Sequence, residues 1–166
     1  MYNQYLKVVS LKDRHVVITE IDIPAKVPIC EFTGAVYTDE QINSWKNQKD
    51  INNVLQVGPN LYIGPSGGID DHIGHSCNPN CYIHATGKRA ILYSLHLIKV
   101  GTEITFDYSS TSTDGPESWK MECKCGSFNC RKIISGFGHL STELQKEYKD
   151  KRVAALFIRE PIFLRK

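Results

Sequence analysis

The sequence predicts a single, mostly β domain built from many short strands and few short helices. Three observations support this prediction: β-branched and aromatic residues recur in short runs, glycine and proline turn signals separate the runs, and only two segments carry helix-capping patterns. The 166 residues are enough to bury one core without obligatory cross-links. Hydrophobic residues make up 41% and charged residues 23%, which is typical of a globular domain.

The first half of the chain is expected to form strands with one short helix. Strands are predicted over residues 5–10, 15–21, 27–32, 54–57 and 61–63. Thr38-Asp39-Glu40-Gln41 matches a capping box, in which the first side chain and the fourth residue satisfy each other's backbone N–H groups. This motif predicts a helix that ends near residue 47.

The second half is expected to be mainly strands, followed by a terminal helix. The predicted elements are a hairpin of 81–85 and 89–97, a strand over 103–106, a polar loop over 109–116 and a capped helix from 142 to about 151. The strand leads to Tyr108. Extended geometry would place Ile104, Phe106 and Tyr108 on one face, where the simplest interpretation of Tyr108 is a core tyrosine with a satisfied hydroxyl.

The charge of the chain excludes some function classes. A net charge of +2 and a pI near 8.2 do not give the basic footprint of a nucleic-acid-binding domain, so direct nucleic-acid binding is not expected. No apolar stretch is long enough to span a membrane, and the N-terminus does not resemble a signal peptide. We expect an intracellular monomer, with nuclear and cytoplasmic locations both open.

Three of the six cysteines form a cluster with metal-ligand spacing. Cys123, Cys125 and Cys130 form a C-x-C-x4-C pattern, and Cys77 is the candidate for a fourth ligand. Four thiolates bind Zn²⁺ tetrahedrally and leave no open position for water, so such a site is structural. Three disulfides are the alternative, but the close spacing and the lack of an export signal favour zinc.

The remaining candidates for metal binding carry a weaker signal. His72 and His75 lie near two aspartates and could suggest a hydrolytic metal site. Gly74 between them favours a loop, and no third ligand stands at a useful spacing. Cys30 and Cys81 are expected to be ordinary buried residues.

Four segments in order resemble the SET-domain protein lysine methyltransferases that carry a post-SET zinc module. They are residues 23–34, His75-Ser76-Cys77-Asn78-Pro79-Asn80-Cys81, Gly101-Thr102-Glu103-Ile104-Thr105-Phe106-Asp107-Tyr108 and the cysteine cluster. The resemblance implies a β-clip fold of several small sheets with a knot formed by about 72–82 and 101–109. It also implies a SET domain over 1–118, a post-SET module over 119–135 and a helical extension over 136–166.

The resemblance implies an activity and a set of site residues. The activity is methyl transfer from S-adenosylmethionine to the side-chain amine of a protein lysine, in a histone or another protein. Tyr108 matches the catalytic tyrosine, and Phe106 matches a position that influences the degree of methylation. The implied cofactor contacts are Arg14, His15, Val16, Gly74, His75 and Tyr108, and the implied zinc ligands are Cys77, Cys123, Cys125 and Cys130.

The sequence also departs from the family pattern near the implied cofactor. Arg14-His15-Val16 stands where the family has Gly-x-Gly, Gly74 replaces an asparagine, and Asp71 replaces an arginine. The family's second active-site tyrosine aligns near Asn53 or Val54. A zinc-stabilised, catalytically inactive SET-like module that binds proteins is therefore the alternative function.

Overall fold

Short strands outnumber helices in the computed structural model, which describes residues 1–12, 14–45, 52–87, 89–113 and 119–160. In these ranges the strands are β1 (Leu6–Ser10), β2 (His15–Thr19), β3 (Pro28–Phe32), β4 (Val36–Thr38), β5 (Leu55–Gly58), β6 (Leu61–Ile63), β7 (Gly74–His75), β8 (Cys81–Thr86), β9 (Arg89–Ser94), β10 (Thr105–Phe106), β11 (Met121–Glu122) and β12 (Ile133–Ile134). The α-helices are α1 (Asp39–Asn43), α2 (Thr142–Asp150) and α3 (Leu156–Arg159). Among the described residues, no helix has the length and apolarity needed to cross a membrane.

Within the described ranges the strands form five small sheets around one main core, which confirms the predicted fold class. Two sheets have three strands, in the orders β3-β9-β8 and β4-β6-β5. The pairs β1-β2 and β11-β12 are antiparallel, and β7-β10 is parallel. In β8, Cys81, Ile83 and Ala85 are buried while the residues between them are more exposed, as the two-residue period of a strand requires. The sheets therefore turn alternate apolar residues toward a shared interior.

The parallel pair β7-β10 brings together two segments that lie about thirty residues apart in sequence. Gly74 is opposite Thr105, and His75 is opposite Phe106. The Asn80 side chain reinforces this pairing: its Nδ2 donates to the Glu103 carbonyl at 2.7 Å, and its Oδ1 accepts from the Thr105 N–H at 2.9 Å. The His-Ser-Cys segment is thereby fixed beside the segment that ends in Tyr108.

The C-terminal residues pack onto the body of the domain. The Ala155 N–H donates to the Ser110 carbonyl at 2.8 Å. Ala155 and Phe157 join the main core, while Tyr148 and Val153 belong to a smaller apolar cluster with Phe137. The helical extension is consequently held next to the segment that follows Tyr108.

Several predicted boundaries were wrong. The α1 capping box is present, but the helix ends at Asn43, where the Ser44 hydroxyl donates to the Gln41 carbonyl at 2.6 Å; residue 47 itself lies outside the described residues. Helix α2 takes Ser141 as its N-cap, so the cap stands one residue earlier than predicted. The second strand of the β8-β9 hairpin stops at Ser94, where the Ser94 N–H donates to the Val27 carbonyl.

The segment around Tyr108 also differs from its prediction. The strand stops at Phe106, and Tyr108–Ser110 forms a 3-10 turn capped by the Asp107 side chain. Ser109 and Thr111 are buried, so the start of the predicted polar loop belongs to the interior. The turn forms because the Asp107 carboxylate accepts the Ser109 N–H at 3.0 Å, which favours a turn over continued strand.

We expect Asn80→Ala to lower the free energy of unfolding by about 2–3 kcal/mol, because it leaves two backbone groups of the parallel pair without partners. Urea denaturation would measure the change. Asn78→Ala is the control: Asn78 lies in the same segment but is exposed, and its loss should change stability by less than about 0.5 kcal/mol. Equal effects of the two substitutions would contradict the assigned role of Asn80.

Candidate functional site

A cavity of about 260 Å³ opens beside the paired strands β7 and β10. Its walls come from both halves of the chain. They include Ile73, Phe106, Tyr108, Tyr62 and Trp119. The lining is predominantly apolar and aromatic, with a few polar groups, which is the usual character of a small-molecule or side-chain pocket.

Tyr108 lies at the wall of this cavity with its hydroxyl fixed. The hydroxyl donates to the Ile73 carbonyl at 2.9 Å, and the ring lies 4.8 Å from the Phe106 ring, centroid to centroid. Burial and the negative charge of Glu103 raise the pKa of Tyr108 to about 12, against an opposing effect of Arg14. Tyr108 is therefore protonated at neutral pH and acts as a hydrogen-bond donor.

His75 is locked behind Tyr108. Its Nδ1 accepts the Tyr108 N–H at 3.2 Å, and its Nε2 lies 3.3 Å from Cys77 Sγ. Burial, together with the positive charge of Arg131, lowers the pKa of His75 to about 4 against the opposing charge of Asp107. The ring is neutral at pH 7, and because Nδ1 is an acceptor, Nε2 carries the proton.

The carboxylate of Asp107 is contacted by residues from several parts of the chain. Its carboxylate is fully buried and accepts two hydrogen bonds of 2.8 Å from the Arg131 guanidinium. The Tyr148 hydroxyl of α2 donates to the same carboxylate at 2.8 Å, and the Ser109 N–H donates at 3.0 Å. His75 Nδ1 lies 3.4 Å away. One buried charge therefore connects the paired strands with the cysteine segment and the C-terminal helix.

The structure brings three of the four predicted cysteine ligands into one group, and the fourth, Cys130, lies beside Cys123 but outside that group. The Sγ atom of Cys123 lies 3.7 Å from that of Cys77 and 3.6 Å from that of Cys130. Ligand atoms of His75, Cys77, Cys123 and Cys125 lie within 4.8 Å of one another. A tetrahedral zinc site with Zn–S bonds of about 2.3 Å would hold its sulfur atoms roughly 3.8 Å apart. All six cysteines are free of disulfide bonds.

The surroundings of the cluster suit thiolates. Backbone N–H groups point at two of the sulfur atoms, from Cys77 to Cys125 Sγ at 3.5 Å and from Arg131 to Cys77 Sγ at 3.4 Å. Burial alone would raise the pKa of Cys125, but the hydrogen bonds from Cys77 and Ser127 outweigh it and lower the pKa. Burial raises the pKa of Cys123 above its usual range, and a bound divalent cation would act in the opposite direction and favour the thiolate.

An ion pair covers Gly74 on the other side of Tyr108. Arg14 makes two hydrogen bonds to the Glu103 carboxylate, at 2.6 and 2.9 Å. A Cβ atom at position 74 would lie 3.0 Å from Glu103 Oε1 and 3.7 Å from Arg14 Nη1. The side chains of the pair therefore occupy the space beside Gly74.

Comparison with known proteins identifies the family of the chain. The family model of the SET domain matches residues 14–109, which is more than half of the chain. The chain belongs to the SET-domain family. This assignment confirms the SET-domain resemblance, and three of the four sequence segments lie within the matched residues.

Curated relatives of this SET domain are much longer proteins. Residues of the chain are 41% identical over 124 residues to the histone-lysine N-methyltransferase trr of Drosophila melanogaster, with 69% of the chain and 5% of that protein covered. They are 27% identical over 131 residues to the histone-lysine N-methyltransferase Su(var)3-9 of the same organism, covering 64% of the chain and 21% of the relative. The chain thus spans a small part of each relative.

Solved structures show the same SET fold. KRYPTONITE in complex with mCHH DNA, an H3(1-15) peptide and SAH matches with a TM-score of 0.59 and 26% identity, over 78% of this chain and 29% of that one. Arabidopsis thaliana SUVH6 in complex with SAM matches with a TM-score of 0.64 and 19% identity, over 78% of this chain and 33% of that one. At 19% identity the second match supports the fold alone.

The residues implied at the cofactor site have different placements in this SET domain. Gly74 and His75 form β7 beside Tyr108, and Arg14 lies above Gly74. His15 is exposed, with its ring 5.5 Å from that of His72. Val16 is buried in β2, so only its backbone is available to a ligand. Arg14, His15 and Val16, all within the described part of the chain, are not in the cavity wall.

Sequence reasoning missed some residues of the site. Trp119 lines the cavity and is held by a 3.0 Å hydrogen bond from its Nε1 to Asn52 Oδ1. Tyr62 also lines the cavity. Arg131 and Tyr148 carry no motif of their own. The sole sequence signal for their role was Asp107 between Phe106 and Tyr108, since a buried aspartate requires cationic or donor partners.

Proposed function

We propose that this SET domain transfers a methyl group from S-adenosylmethionine to the side-chain amine of a protein lysine. The observation that carries the proposal is the position of Tyr108: its hydroxyl is fixed at the wall of an apolar cavity, next to the strand that contains Gly74 and His75. Family membership supports the same activity. Since the chain covers only a small part of its relatives, the activity of the whole protein is included in this proposal.

We assign the lysine channel to the cavity. Phe106, Tyr62 and Trp119 would enclose the aliphatic part of the lysine, and Tyr108 would orient the amine through its hydroxyl. The apolar part of the channel favours the neutral amine, whose pKa in water is about 10.4, while Asp70 and Asp71 in the same wall act in the opposite direction. Neither Tyr108 nor His75 is suited to remove the proton, because the first stays protonated and the second faces the Tyr108 backbone.

The cofactor would lie against Gly74, His75, Tyr108 and the segment that contains Arg14, His15 and the Val16 backbone. When bound, it supplies an already activated methyl group, so the chain has to position the reactants and exclude water. The residues present are compatible with the cofactor: a guanidinium and a carboxylate lie beside Tyr108, and the cofactor carries both signs of charge. Phe106 would take the position that influences the degree of methylation.

A histone tail is the substrate class that the relatives favour. Two relatives are named histone-lysine methyltransferases, and the KRYPTONITE complex contains an H3(1-15) peptide. The cavity wall also includes Asp70 and Asp71, which would attract a basic peptide. A nuclear site of action would follow from this substrate, and the single-chain state remains a prediction.

We also propose that Cys77, Cys123, Cys125 and Cys130 bind a structural zinc ion. His75 is near the cluster, but its Nδ1 is engaged by the Tyr108 N–H, so its neutral ring presents an N–H rather than a lone pair to Cys77. Cys130 lies 3.6 Å from Cys123, at the separation that tetrahedral coordination requires.

Cys130→Ser is expected to lose zinc, and His75→Asn to keep it, because we assign the fourth ligand to Cys130. Elemental analysis of the purified variants would measure the zinc content. Cys30→Ser is the matched control, since Cys30 is a buried cysteine outside the cluster. Loss of zinc from His75→Asn together with its retention in Cys130→Ser would refute the four-cysteine assignment.

Tyr108→Phe is expected to reduce methyl transfer by roughly 100-fold or more, because it removes the fixed hydroxyl oxygen that would orient the amine. The measurement is tritium transfer from labelled cofactor to core histones and to an H3(1-15) peptide. Affinity for S-adenosylhomocysteine should stay within about threefold, since the ring remains. The exposed Tyr5 provides the control substitution, Tyr5→Phe. Wild-type binding of cofactor with no transfer would instead favour the inactive protein-binding module.

A further inference from the structure

The Arg14–Glu103 ion pair lies beside Gly74, at the position where the family has an asparagine near the cofactor. The interpretation of this pair as part of the cofactor site rests on the proposed function. Gly74 has no side chain, and the pair lies where an asparagine side chain at this position would begin. The pair also acts electrostatically on Tyr108 from both of its members. It therefore lies at the reaction end of the proposed cofactor site.

Asp71 replaces a positively charged residue that the family has three positions before Gly74. The family has an arginine at this position, whereas here the carboxylate accepts hydrogen bonds from the N–H groups of Ser66 and Gly67, at 2.9 and 2.7 Å. Arg131, the other guanidinium near Tyr108, is engaged by the buried Asp107 and by Ser109. Neither position can offer a free cation to an anionic ligand.

The guanidinium of Arg14 can offer a free cation to an anionic ligand. Its two hydrogen bonds to Glu103 use two of the five N–H groups of the guanidinium, and in the described part of the chain the other three have no protein acceptor. The side chain is 52% exposed, while Glu103 is 27% exposed and is anchored through its carbonyl to Asn80. Glu103 thus holds one edge of the guanidinium and leaves the other edge open.

We propose that Arg14 is the carboxylate receptor of the cofactor site: held by Glu103 above Gly74, its open edge binds the α-carboxylate at the amino-acid end of the cofactor. A planar guanidinium matches a carboxylate with two parallel hydrogen bonds. Glu103 is a positioning residue in this arrangement. The cation that the family places at position 71 is supplied here from the connection between β1 and β2.

The test compares two ligands that differ only in the carboxylate. Isothermal titration calorimetry on the zinc-loaded chain would use S-adenosylhomocysteine and its decarboxylated analogue, which keeps the thioether and the amine. The wild type is expected to bind the first ligand at least tenfold more tightly. Arg14→Gln should weaken its binding by roughly 10- to 100-fold and leave the analogue within twofold, because charge-assisted bonds are lost only for the carboxylate.

Two further variants sharpen the result. Arg14→Lys keeps the charge without the planar fork and should bind S-adenosylhomocysteine with intermediate affinity. Arg89→Gln is the matched control, because Arg89 forms the same type of exposed pair with Glu31 but does not lie beside Gly74; it should bind both ligands as the wild type does.

Three results would overturn the inference. The first is equal affinity of the wild type for the two ligands, which needs no variant to fold. The second is an equal loss for both ligands in Arg14→Gln, and the third is no loss for either. In these cases the proposed function survives if S-adenosylhomocysteine binds the wild type. If the wild type binds neither ligand, the proposed function fails and this inference falls with it.

Discussion

The buried carboxylate of Asp107 is the interaction on which the rest of the structure depends. A charge with no solvent exposure is costly unless donors surround it, and here three parts of the chain supply them. Arg131 comes from the cysteine segment, Tyr148 from the C-terminal helix and Ser109 from the turn that starts at Tyr108. Removing Arg131 would leave an uncompensated buried charge, and removing either neutral donor would weaken its solvation, so the three segments are held in one arrangement.

Arg131 extends this constraint to the cysteine cluster. Its backbone N–H donates to Cys77 Sγ, while its guanidinium holds Asp107, so one residue joins the proposed zinc site to the Tyr108 segment. Trp119 and Met121, on the same module, complete the cavity wall. A metal that fixes the cysteines would therefore also fix part of the channel, although four sulfur ligands would take no part in the reaction.

Local sequence patterns predicted much of the fold. The features that they did not predict depend on polar contacts between residues far apart in the sequence. Residue periodicity and spacing predicted the strands and the α1 capping box. The spacing of three cysteines, together with the distant Cys77, predicted the cysteine cluster. The alternation of Ile104, Phe106 and Tyr108 predicts extended backbone through Asp107, but the Asp107 side chain instead caps a 3-10 turn that begins at Tyr108. The pairing of Tyr148 with Asp107 joins positions 41 residues apart, and no short-range pattern encodes such a contact. The same limit applies to Arg14 and Glu103, which are 89 residues apart.

The central claim is that the proposed zinc site and the Arg131–Asp107 pair together hold His75 and Tyr108 in place beside the proposed cofactor site. The most direct measurement is calorimetric titration of S-adenosylhomocysteine into the zinc-loaded chain and into the same chain stripped of zinc by a chelator. The account predicts one-to-one binding to the loaded chain and an affinity at least roughly tenfold weaker after zinc removal. Identical binding with and without zinc, or no binding to the loaded chain, would contradict it.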